Sequence, residues 1–76
     1  MTPKQCRAAR ALLNWSQNDL AKAAGVTVSA VQGFENGRYA VPKRLTLLML
    51  GALHTDGVRL VPNGVTLTQE AWDKTK

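Results

Sequence analysis

The chain has 76 residues, with ten Lys and Arg against five Asp and Glu, a net charge of +5 and a single cysteine. That length holds one small core; Cys6 has no disulfide partner and no Cys/His set supplies four zinc ligands, so packing or a second copy must stabilise it. The longest apolar run, Leu47 to Leu50, is far short of the roughly 20 residues that span a bilayer, and Met1 to Lys4 lack a signal peptide's apolar stretch, so a cytoplasmic protein is expected. The basic balance suits polyanions without identifying one.

Thr2, Pro3 and Gln5 predict a capping-box start to a helix from Pro3 to about Leu13, with Cys6, Ala9 and Leu13 on its inner face. Arg10 falls beside that face and needs a carboxylate partner. Ser16 is a second N-cap, Leu20, Ala21 and Ala24 mark an inner face, and Gly25 ends a helix over 17–24. Thr27 caps a third helix over 28–36, with Val31 and Phe34 inward and Asn36-Gly37 at its end. So tight a turn between two short helices forces a steep crossing, the geometry of a helix-turn-helix. Residues 38–42 read as a loop closed by Pro42.

A fourth helix runs from Pro42 or Lys43 to Thr55, and Leu45, Leu47, Leu48, Met49, Leu50 and Leu53 make it apolar over more than one stripe. Some of these leucines are expected to pack on the tail or on a second subunit. Asp56-Gly57 closes the helix, and Val58 to Val61 and Val65 to Leu67 flank Asn63-Gly64, a pair favoured in two-residue hairpin turns. The segment from Thr68 to Lys76 is left as either a helical turn carrying Trp72 or a frayed end. The expected fold class is mainly α: a compact four- to five-helix domain with a C-terminal β-hairpin. The DNA-binding unit is placed at 1–56, with 57–76 as its dimerisation extension.

The run from Trp15 to Gly37 closely resembles the helix-turn-helix of the lambda repressor/Cro-like, or XRE-type, family. It has Ser-Gln opening the second helix, Leu-Ala within it, Ala-Gly-Val at the turn and Phe-Glu-Asn-Gly at the end of the third. The resemblance covers residues 5–55 and leaves the hairpin and tail outside. It implies a DNA-binding transcriptional regulator of bacterial or phage type, with the third helix in the major groove. It also implies a homodimer reading two half-sites about 34–36 Å apart. It supplies the carboxylate for Arg10, since the family pairs that arginine with the glutamate found here at Glu35.

Carried over residue by residue, the resemblance assigns base readout to Thr27, Val28, Ser29, Gln32 and Gly33. Phosphate contacts fall to Gln17, Asn36, Arg38, Tyr39, Lys43 and Arg44, with Lys4 and Arg7 as weaker candidates. Better-known members carry long polar side chains where this chain has Val28 and Gly33, and Gly33 costs about 1 kcal/mol of helix propensity. Dimerisation is placed on Leu47, Leu50, Val58, Leu60, Val65 and Leu67, with pairing along the hairpin edge. His54 is explained by the helix dipole and Cys6 by the core, while Trp15, Phe34 and Trp72 are read as core or interface packing. No catalytic set, metal site, cofactor or small-molecule ligand is indicated, and no enzyme is expected. Double-stranded DNA and a second copy are the expected partners, and a repressor, autoregulatory in the family manner, the expected role. The competing class is a protein-interaction module, antiactivator or antitoxin-like, on the same fold.

Overall fold

A computed structural model describes residues 1–38 and 40–75. The order is α1 (Pro3–Leu13), α2 (Gln17–Ala24), α3 (Val28–Asn36), α4 (Lys43–Thr55), β1 (Val58–Val61), β2 (Gly64–Leu67) and α5 (Gln69–Thr75). Local chemistry sets the first three helix starts: the hydroxyls of Thr2, Ser16 and Thr27 accept from the amides of Gln5, Asp19 and Ala30. Gln5 and Asp19 reach back to complete capping boxes. Asn14 ends α1 in the left-handed region at φ 58°, and Gly25 does the same for α2 at φ 72°.

Cys6, Ala9 and Leu13 of α1, Leu20 and Ala21 of α2, Ala30 and Val31 of α3, and Met49 and Leu53 of α4 form one buried cluster. Val58 of β1 joins it at 1 % exposure. The hairpin is therefore part of the core. Register pairs Val58 with Leu67 and Leu60 with Val65, so these four share one face. Val65 and Leu67 pack inward against the cluster. Val58, Val65 and Leu67 are thus spent on the fold, correcting their expected place in a dimer contact.

The turn also differs from expectation. Val61 pairs with Gly64, so the two-residue loop is Pro62-Asn63, not Asn63-Gly64. Neither Asn63 nor Gly64 has a positive φ, which excludes the primed turns that Asn-Gly favours. Pro62, with its fixed φ, suits the first loop position of an ordinary turn. Such turns splay the strands, and here a tertiary contact holds them: Gln5 Nε2 donates to the carbonyls of Val61 (2.9 Å) and Gly64 (3.2 Å), clasping the hairpin mouth to α1. Gln5→Ala loses this clasp and half a capping box. It is expected to destabilise the fold by about 1–2 kcal/mol in urea denaturation, with fastest amide exchange around Val61 and Gly64.

The tail folds as the helix α5. Thr68 Oγ1 accepts from the Ala71 amide, and Ala71 is buried against Gly57. Trp72 faces outward, 52 % exposed, which sets aside the core alternative of its core-or-interface reading. Trp15 and Phe34 do pack against the cluster.

Candidate nucleic-acid interface

The joint between α1, α2 and α3 is built around Glu35, whose side chain is 1 % exposed. Arg10 meets it in a two-pronged pair, Nε to Oε2 and Nη2 to Oε1, both 2.7 Å. Arg10 Nη1 also donates to the Trp15 carbonyl at 3.1 Å, tying in the loop before α2. The Cys6 thiol donates to Oε2 and the Gln17 amide to Oε1, each at 3.2 Å, and Arg7 Nη1 reaches the Glu35 carbonyl at 2.6 Å. Burial works against ionisation of Glu35 most strongly, but hydrogen bonds from Arg10, Cys6 and Gln17 and the Arg10 charge outweigh it, holding the carboxyl below its usual range. Burial, then the adjacent carboxylate, pushes the Cys6 thiol up to about 12, so it stays protonated and serves as a donor. No buried side-chain nitrogen or oxygen among the described residues lacks a partner.

This joint fixes what α3 shows to solvent. Ser29, Gln32 and Asn36 are exposed at i, i+3 and i+7, with the cap residue Thr27 exposed beside them. Val28 is half-buried and packs against the core. Gly33 is buried, which corrects its expected place at the base edges: it lies one turn from buried Ala30, on a flank that turns inward. Thr27, Ser29, Gln32 and Asn36 make up the exposed polar edge of α3.

Among the phosphate candidates, Asn36, Arg38, Lys43 and Arg44 are exposed around the connection from α3 to α4, while Tyr39 lies outside the described residues. Gln17 is half-buried in the first turn of α2 and already bonded to Glu35. Lys4 is exposed, whereas Arg7 spends one donor closing the C-terminal end of α3. Sequence reasoning missed the contacts of Gln17 and Cys6 with Glu35, because residues far apart in the chain meet there.

A short capped helix, a glycine turn and a second helix held by a buried ion pair, with polar residues on its outer edge, define a helix-turn-helix DNA-binding domain. The chain belongs to the Helix-turn-helix family of the XRE, lambda repressor/Cro-like type, whose model matches residues 7–53. It is a family of DNA-binding transcription regulators and generally non-enzymatic. No curated protein matches the chain. Among the described residues no helix is long and apolar enough to cross a membrane, and no cluster of three or more His, Cys, Asp or Glu is placed to hold a metal.

Proposed function

We propose that the protein is a sequence-specific repressor that binds an inverted-repeat operator as a homodimer, with α3 in the major groove. The observation that carries the DNA-binding surface is the start of α4. Unlike α1, α2 and α3 it has no side-chain cap, and with no acidic residue in its first turn it begins Pro42-Lys43-Arg44. Two cations at the positive end of a helix dipole repel it, a local cost that a bound phosphate relieves. Arg38 adds charge to the same region. At the other end of α4, about 20 Å away along the helix, Asp56 and Glu70 line a cleft together with Lys74. Arg38, Lys43 and Arg44 thus cluster around the connection that leads out of α3.

The test is selection from a random duplex pool by the full chain at about 150 mM salt. Recovery of an inverted repeat with half-site centres about one helical turn apart is the expected result. A folded chain that enriches no sequence would favour the protein-interaction reading.

For the dimer, the face we favour is the groove between α4 and β1, lined by Leu47, Leu50, Gly51, His54 and Leu60. Leu47 and Leu48 are 55 % and 49 % exposed. Gly51 stands mid-helix with open space where a Cβ would be, so nothing among the described residues explains its cost of about 1 kcal/mol relative to Ala. Close approach of a second helix would. Pairing along β1 is less favoured, since Arg59 Nη1 already donates to the Val58 carbonyl at 2.9 Å. Leu47→Glu is expected to shift the chain from dimer to monomer in analytical ultracentrifugation with its melting temperature nearly unchanged. A truncation after Asp56 is a poor substitute, because it removes Val58 from the core.

A further inference from the structure

The Glu35 carboxylate accepts four donors, two on each oxygen: Arg10 Nε and Cys6 Sγ at Oε2, Arg10 Nη2 and Gln17 Nε2 at Oε1. An ionised carboxylate has about four lone-pair sites and no donor, so it is filled. Three of the donors come from α1 and the fourth from the first turn of α2. Building on the reading of Gln17 as a phosphate contact, we propose that Glu35 is the positioning residue for that contact. It sets the rotamer and the amide orientation of Gln17 before DNA arrives.

A carboxylate only accepts, so only the NH2 end of the Gln17 amide can face it. The amide oxygen is turned aside, and the second N–H, not held by Glu35, points elsewhere. A phosphate also only accepts, so it needs that second N–H together with the amides of Gln17 and Asn18, which have no carbonyl within their helix, the Asp19 amide being taken by the Ser16 hydroxyl. A free glutamine samples several rotamers and both amide orientations, of which few present a donor. Glu35 removes that freedom in advance. Since Glu35 also belongs to α3, one group ties the backbone contact of α2 to the placement of the readout helix.

Side-chain 15N–1H spectra of the full chain test this directly. One Gln17 amide proton is expected to exchange with water about tenfold more slowly than those of exposed Gln32. Gln17→Ala is expected to weaken binding to the selected operator duplex about five- to tenfold. Glu35→Gln should weaken it at least as much and bring Gln17 exchange to the Gln32 rate. The double substitution should bind no more weakly than Glu35→Gln alone, a non-additivity that a purely structural role for Glu35 does not produce. A wild-type Gln17 amide exchanging as fast as Gln32, or additive losses in the double variant, overturns the positioning role and leaves the phosphate contact standing. A protected amide with unchanged affinity in Gln17→Ala removes the contact itself, and the proposal with it. If Glu35→Gln fails to fold, the exchange rates of the unaltered chain still decide.

Discussion

Glu35→Ala is expected to destabilise the fold by about 3–5 kcal/mol, because it leaves Arg10 partly buried opposite an empty acceptor site and strands the Cys6 and Gln17 donors. Replacing both partners, as in Arg10→Met with Glu35→Leu, should recover much of that loss, since an apolar pair pays no desolvation. The pH dependence gives an independent check. The Glu35 carboxyl is held below its usual range in the folded chain. Its contribution is therefore complete above the unfolded carboxylate value of about 4.3 and is lost as pH falls through the lower folded value. Urea midpoints measured from pH 7 downward should drop steeply in that acid window for the natural chain. They should drop less for the Met/Leu pair, with the exposed Asp19, also lowered by its bonds to Ser16, supplying part of the remaining slope. A Glu35→Ala chain as stable as the parent would remove the ion pair from the account of how α1 and α3 are joined.

Gly57→Ala is the second large effect. Gly57 has φ +100°, a conformation L side chains rarely adopt, and an added Cβ would overlap the Ala71 Cβ and lie 2.8 Å from Thr68 Oγ1. Ala71 and Thr68 belong to α5 and its cap, and the Thr68 amide donates to the Gly57 carbonyl at 2.9 Å. Neither the backbone nor the helix seated on it can yield without undoing that contact. A loss of about 2–4 kcal/mol is expected, which lowers the melting temperature of so small a domain by more than about 10 °C. Calorimetry on the full chain reads this directly, and an unchanged melting temperature would show that α5 does not depend on its seat at Gly57.

Short-range chemistry accounts for the parts of this molecule that its sequence declares. Each cap at Thr2, Ser16 and Thr27 acts within three residues, Gly25 and Gly37 end their helices through their own backbone, and the first four helices follow the expected bounds. The pairing of Arg10 with Glu35 was legible only through the family resemblance, since nothing local joins residues 25 apart in the chain. Tertiary packing decided the rest. The Asn63-Gly64 turn gave way to Pro62-Asn63, where Gln5 of α1 clasps the carbonyls of Val61 and Gly64; both turns leave Val58, Val65 and Leu67 on one face, so the burial of that face does not choose between them. Gly33 turned from the readout edge to a buried flank, and Gln17, expected at a phosphate, supplies the fourth donor to the Glu35 carboxylate. A residue's helical face is written in its spacing, but which neighbour covers that face depends on how the helices cross, and that is set by the core as a whole.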